Sequence, residues 1–475
     1  MIEARGTDAF FLWQESRRRH MHTLKIVIVD PSTAHRELTF EGVRESAGIA
    51  MPHALAFRRR PVRVPLSAGH PAWLDAPQLD RGYHFRHAVL PEGAGEAELE
   101  ALANEVVSEP LDPHKPLWQL VFVEGLPGGR VAFLLKLHHA VADGAASARL
   151  ATQAFAATPD PTRLPPPVTT PNEPAPSLAR LVAFTLGKDL ARQHELPGLL
   201  RRSLAGIRVG RRFRREGKPL QARPFSGPMT RFNRPLTAQR GYTNLTLSLG
   251  ELQEVKEALG CTVNDVYLTL VGGALRHYLE KHGELPAQAL TAAIPVSVRN
   301  DTDDPAFGNA TNSWFTSTGS DVADPVERLA VVSAGTRAAR ELFAAREPRL
   351  AVDWLEHWPW RRLYLATFQA LAAAFVRRPS FNVIVSNVHG PRMPLYADGG
   401  KVVALRSMGP LAPQQGLNFT AWSYVDDFAI GIHACREHVP DIHVLTKSFG
   451  PELESLKRAA AEARKTPGSP RVGAA

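Results

Sequence analysis

Residues 134–144 read Leu-Leu-Lys-Leu-His-His-Ala-Val-Ala-Asp-Gly. A β-rich run ends in two adjacent histidines, and an Asp-Gly pair follows at the start of a helical pattern, so an imidazole is delivered to a strand end where a cleft can form. Successive strand side chains point to opposite faces, so His138 and His139 serve different surroundings: one faces the cleft and the other the core. The same geometry argues against a metal ion, which would require converging imidazoles, and neither HExxH nor CxxC occurs in the chain. The cleft-facing imidazole, with an ordinary pKa of about 6.5, is suited to take and return a proton near neutrality and is a candidate general base. Asp143 is better placed to accept backbone N–H groups or to pair with an arginine than to touch a substrate, and Gly144 leaves space beside the base. The four fixed positions of HHxxxDG arise by chance in roughly three per thousand chains of this length. No GxSxG elbow, P-loop or GxGxxG is present, so a serine acyl-enzyme, an NTPase and a dinucleotide oxidoreductase each lack their marker, and direct group transfer is favoured.

The elements that must position this motif follow from patterning. His22–Asp30 and Arg130–His138 are β-rich runs, while Glu96–Glu109 and Gly144–Ala157 carry helical patterns. Further on, Leu245, Leu247 and Leu249 alternate with polar residues as a half-buried strand should. Val263, Val266, Tyr267, Leu270, Val271, Ala274, Leu275, Tyr278 and Leu279 fall on one helical stripe. Ala289–Val298, Asn382–Asn387, Leu417–Tyr424 and Phe428–Ala434 read as strands. Mixed α/β structure is therefore expected in both halves. With 475 residues the chain should form two large domains. Eight prolines between Pro159 and Pro176 mark a linker. The expected divisions are a first domain at 1–158 carrying HHxxxDG, the Pro-rich linker with a basic helical segment at 159–220, and a second domain at 221–475.

Two cysteines, Cys261 and Cys435, are too few for a disulfide framework or a thiolate metal site, so a reducing compartment is expected. No run is long and apolar enough to span a membrane; the best, Leu363–Val376, is flanked by arginines and reads as a buried helix. The N-terminal charge order is the reverse of a secretory signal. The net charge of +9 is concentrated between Ser177 and Lys218, where eleven Lys or Arg face three acids. Such a stretch is a solvated surface or a helix lying on an anionic membrane, and Pro197 should divide it in two. With only Phe184 and Phe213 for stacking, it is a poor nucleic-acid surface.

The motif HHAVADG resembles the HHxxxDG signature of the CoA-dependent acyltransferase superfamily. Asp8–Glu15 (DAFFLWQE), His22, Pro116-Leu117-Trp118, Asn264-Asp265, Pro295–Arg299 (PVSVR), Gly308-Asn309, Ser386–Pro391 (SNVHGP) and Gly416–Asn418 narrow the resemblance to the bacterial wax ester synthase/diacylglycerol acyltransferase family, over nearly the whole chain. The resemblance implies two chloramphenicol-acetyltransferase-like domains packed around a central tunnel. It implies acyl-CoA as a substrate, no resident cofactor, and diacylglycerol or a fatty alcohol as acceptor. His139 would be the base, His138 its support and Asp143 structural, while Asn264 could donate to a developing oxyanion. Local readings stand beside these: Thr262 as a helix N-cap with Asp265 as a first-turn acid, and Pro116–Trp118 as a bend with a packed indole. His389 departs from the family's usual proline. A lipid acyltransferase without a spanning helix must reach its acceptor at a bilayer or lipid inclusion, and segment 177–218 would bind that surface from the cytoplasmic side. The alternatives are a condensation-type enzyme using a carrier-bound donor, and a catalytically silent lipid-body protein.

Overall fold

His22–Asp30 (β2) and Val131–His138 (β7) pair antiparallel, His22 opposite His138 and Val29 opposite Val131. Both are buried almost throughout, as their apolar, branched composition requires. They form the centre of a six-stranded mixed sheet in the order Tyr396–Ala397 (β12), Gly400–Met408 (β13), β2, β7, Trp118–Glu124 (β6) and Phe85–Val89 (β5). A second six-stranded sheet has the order Thr311–Ser317 (β10), Thr291–Ser297 (β9), Val383–Val388 (β11), Leu417–Tyr424 (β14), Asp427–Cys435 (β15) and Arg240–Ser248 (β8). Ile2–Glu3 (β1), Ala72–Asp75 (β4) and Arg59–Val62 (β3) make a small third sheet. The architecture is thus mixed α/β in two parts. The computed structural model describes residues 1–65, 69–160, 164–217, 222–301, 303–357 and 378–465.

The second sheet is covered by the helix Val263–Lys281, which is buried from Asp265 to Ala274. Its start is fixed by a capping box: the Asp265 N–H donates to Thr262 Oγ1 at 3.1 Å and the Thr262 N–H donates to Asp265 Oδ2 at 2.9 Å. The helix Glu96–Ser108 closes one face of the first sheet through Leu99, Ala103 and Val106. On the opposite face, Trp118, Leu137 and Ala140–Ala142 pack in one core with Phe307, Leu395 and Trp422 from the second half of the chain.

The first sheet draws strands from both sides of residue 221. Gly400–Met408 lies in the second half by sequence yet pairs with β2, Met408 opposite Leu24 and Lys401 opposite Asp30, so the expected second domain lends a strand to the first sheet. The free edge of β2 is the physical reason: its buried backbone groups need a partner, and β13 supplies one from a distance that no local pattern encodes. The described residues from 159 to 176 hold no helix or strand. They are tied to the first half, since the Glu173 N–H donates to Asp75 O at 2.7 Å and the Glu173 carboxylate meets the Met1 amine at 3.1 Å. The basic segment is two helices, Leu178–Arg192 and Leu196–Arg215, separated at Gln193–Glu195, with Pro197 in the first turn of the second. The run Leu363–Val376 lies outside the described residues. Among the described residues no single helix is long and apolar enough to cross a membrane.

Candidate active site

At the end of β7 the two histidines part company. His138 is fully buried. Its N–H donates to Leu117 O at 3.0 Å, and its Nδ1 accepts from the Ala140 N–H at 3.1 Å, which assigns the ring proton to Nε2. That nitrogen faces Glu15 Oε1 at 3.7 Å, the same oxygen that lies 3.5 Å from His22 Nε2. Burial pushes the His138 imidazole down to about 4 against the opposing pull of Glu15. His139 leaves the strand: its N–H donates to Met21 O at 2.7 Å, and its half-buried ring stands edge-on to Phe11 at 4.6 Å between centroids. Burial pushes His139 down to about 4 as well, with the Asp143 carboxylate opposing and the Lys25 ammonium adding to the shift. A neutral imidazole with some exposure can accept a proton at pH 7, whereas the enclosed His138 can only orient its neighbours.

Asp143 is a strut between the two halves. Its Oδ1 caps the helix Gly144–Ala154 by accepting from the Ala146 N–H at 2.8 Å. Its Oδ2 accepts from Arg299 Nη2 at 2.8 Å and from the Ala310 N–H at 2.9 Å. Arg299 also donates to Gly308 O at 3.1 Å, and the Gly308 N–H donates to Val141 O at 2.7 Å. The chain from Arg299 to Ala310 is therefore stitched to the motif loop by backbone and side chain together. Gly308 has φ +76, which favours glycine, and a Cβ there would press on Asp8 Oδ2 at 3.2 Å. Asp8 in turn accepts from the Asn309 N–H at 2.7 Å, and burial lifts its carboxyl to about 7. A Cβ on Gly144 would lie 3.0 Å from Val388 Cγ2, which puts the SNVHGP segment directly against the motif.

The other singled-out residues are distributed differently. Leu117 holds the strand end through the His138 bond. Trp118 is buried, donates from Nε1 to Phe57 O at 2.8 Å and stacks on His84 at 4.3 Å, while Pro116 O accepts from the Trp118 N–H at 2.9 Å. Asp265 serves its helix cap and accepts from the hydroxyls of Thr336, at 2.5 Å, and Ser333, at 3.4 Å. Among the described residues no hydrogen bond or ion pair joins Asn264 or Asp265 to residues 138–144. Pattern reading passed over Lys25. It is a lysine inside an apolar strand, buried, and donates from Nζ to Ser407 Oγ at 2.7 Å, with Nζ 4.9 Å from the Trp422 ring centre. Burial brings it down to about 7 while Asp143 opposes. The available signal was the charge itself, since a lysine in the middle of HTLKIVIVD must find a partner. Among the described residues no group of three or more His, Cys, Asp or Glu is arranged to hold a metal ion.

Comparison with known proteins places this geometry. Residues 5–267 match the wax ester synthase/diacylglycerol acyltransferase catalytic domain, and residues 307–457 match the WS/DGAT C-terminal domain. Two Mycobacterium tuberculosis proteins, each named "Putative diacylglycerol O-acyltransferase", are 32% identical over 457 residues and 33% identical over 470 residues. The first comparison covers 96% of both chains, and the second 98% of this chain and 99% of the relative. The wax ester synthase/diacylglycerol acyltransferase from Marinobacter aquaeolei superposes with a TM-score of 0.71 at 25% identity, covering 97% of this chain and all of that one. The first condensation domain of the calcium-dependent antibiotic synthetase shares the fold, with a TM-score of 0.57 at 15% identity, covering 100% of this chain and 98% of that one. With both family models matched in order and the HHxxxDG loop joined through Val141 and Asp143 to residues 299–310, this chain belongs to the wax ester synthase/diacylglycerol acyltransferase family and is an acyltransferase.

Proposed function

We propose that the protein moves a fatty acyl group from acyl-CoA to the hydroxyl of diacylglycerol, a long-chain alcohol or both, giving triacylglycerol or wax ester. The observation that carries this reading is His139, a partly buried imidazole kept neutral at the head of the loop that the Asp143–Arg299 strut ties to the second half. His139 takes the acceptor's proton as its oxygen attacks the thioester carbonyl. The tetrahedral intermediate collapses with cleavage of the C–S bond, and the same imidazole returns the proton to the departing sulfur, releasing free CoA thiol. His138 and Asp143 hold the loop that aims the base. The donor and acceptor meet in a tunnel between the halves. The test is acceptor-dependent thiol release from palmitoyl-CoA with hexadecanol or a diacylglycerol, run beside His139→Ala. Release that drops at least a hundredfold in the variant supports the assignment, since general-base catalysis contributes 10²- to 10⁴-fold. Folded wild-type protein that releases no thiol with either acceptor sinks it and favours a carrier-bound donor or a silent lipid binder.

The acceptor lives in a lipid phase, and the two basic helices fit such a surface. Leu186 and Leu190 on the first, and Leu200, Leu204 and Ile207 on the second, are each at least 50% exposed at helical spacing. Arg201, Arg208, Arg211, Arg214 and Arg215 are exposed beside them. An apolar stripe with a cationic rim lies in an anionic interface, each arginine adding about 1 kcal/mol near the headgroups. Changing those five arginines to Gln should abolish sedimentation with phosphatidylglycerol vesicles at low salt, and undiminished sedimentation refutes peripheral docking through these helices. Arg202 is left out, because it already pairs with Glu347 and Asp353.

A further inference from the structure

The loop joining the helix Gly6–Gln14 to β2 carries three consecutive arginines, Arg17, Arg18 and Arg19. It is a built turn, not a loose stretch. The Ser16 and Arg19 backbones exchange both hydrogen bonds at 3.0 Å, Arg19 Nε donates to Ser16 Oγ at 3.3 Å, and Arg240, itself 1% exposed, donates from Nη2 to Arg18 O at 2.7 Å. Arg17 and Arg18 are exposed, and among the described residues neither side chain has a hydrogen-bonding or carboxylate partner. Glu15, next to the turn, pairs with Arg63 through Oε2 at 3.3 Å, and its Oε1 is buried against the rings of His22 and His138 at 3.5 and 3.7 Å. His20, behind the turn, is held below its ordinary pKa by burial and then by Arg240, and adds no negative charge. The turn therefore presents an uncompensated pair of planar guanidinium groups on a fixed backbone, the chemistry that recognises phosphoryl oxygens bidentately.

Its position relative to the base is fixed. Three residues on from Arg18 stands Met21, whose carbonyl accepts from the His139 N–H at 2.7 Å, so the turn lies within ~10 Å of extended chain from that anchor. In a CoA thioester, about thirteen bonds separate the reacting carbonyl from the pyrophosphate, the length of about four extended residues or ~14 Å. An acyl group at His139 thus places the donor's phosphates at the reach of arginine side chains mounted on this turn.

We propose that the Ser16–Arg19 turn binds the phosphates of the acyl donor's nucleotide through Arg17 and Arg18. The inference rests on the acyl-CoA reading above and names the donor's second anchor, remote from the reacting atoms. Phosphoryl oxygens are also offered by lipid headgroups, and the experiment separates the two sources. Arg17→Gln/Arg18→Gln is assayed with palmitoyl-CoA and with palmitoyl-pantetheine, which carries the same thioester without the nucleotide. Binding of adenosine 3′,5′-bisphosphate is titrated by calorimetry, and sedimentation with phosphatidylglycerol vesicles is measured in parallel. The expected result is at least a tenfold fall in the ratio of kcat/KM for palmitoyl-CoA to that for palmitoyl-pantetheine, driven by KM, together with loss of bisphosphate binding. Arg17→Lys/Arg18→Lys should recover part of both. An equal fall for the two donors means the turn is merely structural, and overturns the proposal. So does an unchanged ratio, or loss of vesicle binding with the ratio intact, which assigns the turn to headgroups. Wild-type protein that turns over neither donor defeats the acyl-CoA reading itself, and bisphosphate binding lost in the variant would still uphold the turn as a phosphate site.

Discussion

Replacing Asp143 by Asn separates a strut from a catalytic carboxylate. The carboxylate accepts at 2.8 Å from the Ala146 N–H, at 2.8 Å from Arg299 Nη2 and at 2.9 Å from the Ala310 N–H. Asparagine retains one acceptor oxygen, enough for the helix cap, which would otherwise cost about 1 kcal/mol. What it loses is the charge facing Arg299, whose side chain is 12% exposed, and an amide NH2 must then confront either the guanidinium or the Ala310 N–H. Breaking a buried pair from one side costs about 3–5 kcal/mol, because the remaining charge stays desolvated. Partial access of Arg299 to water puts the expected loss near ~3 kcal/mol. Urea unfolding followed by tryptophan fluorescence reads it, and Arg299→Met with the double variant completes a cycle whose coupling should be at least ~1.5 kcal/mol. Turnover should fall with the population of the folded form and recover in conditions that stabilise the fold. A variant as stable as wild type within ~0.5 kcal/mol, yet a thousandfold slower, would refute the strut and make Asp143 a participant in proton transfer.

Two further perturbations test the electrostatics. Burial has brought the pKa of His139, the proposed base, down to about 4, so it stays unprotonated on lowering the pH well past 6.5, and kcat/KM for thiol release should be flat between pH 8 and 5.5. A half-point near 6.5, the unperturbed value, contradicts the buried environment described for the ring. Lys25 has a folded pKa brought down to about 7, so between pH 7 and about 10 the unfolded chain holds a proton that the folded chain lacks. Stability then rises with pH across that window, and below it the buried ammonium bears its full desolvation cost. Lys25→Met should accordingly be more stable than wild type at pH 6, with the difference shrinking by ~1 kcal/mol per pH unit between pH 7 and 9. A pH-independent difference in urea unfolding would show that the ammonium is hydrated in the folded protein.

What could be read in advance was local. The β2 and β14 runs carry their strand identity in branched and aromatic residues. Helix Val263–Lys281 carries its own stripe and capping box, and the Asp-Gly pair reads as the start of a helix because a short carboxylate followed by glycine is what an N-terminus takes. Partner choice was not legible. That Asp143 suits an arginine follows from its type, but that the arginine is Arg299 depends on a contact across 156 residues. The pairing of β13 with β2 is equally non-local, and Lys25 makes sense only once Ser407 and Trp422 have arrived beside it from the second half.

These non-local contacts share one location, and that has a mechanical consequence. The Asp143–Arg299 pair, the Ala310–Asp143 bond and the Gly308–Val141 hydrogen bond all join the motif loop to residues 299–310. Any separation of the halves wide enough to admit a lipid between them must break polar contacts that also hold the histidine loop in place. Under the function proposed above, parting these segments at the motif would release the loop that aims His139. Asp143 and Arg299 thus tie residues 299–310 to the loop that carries His139.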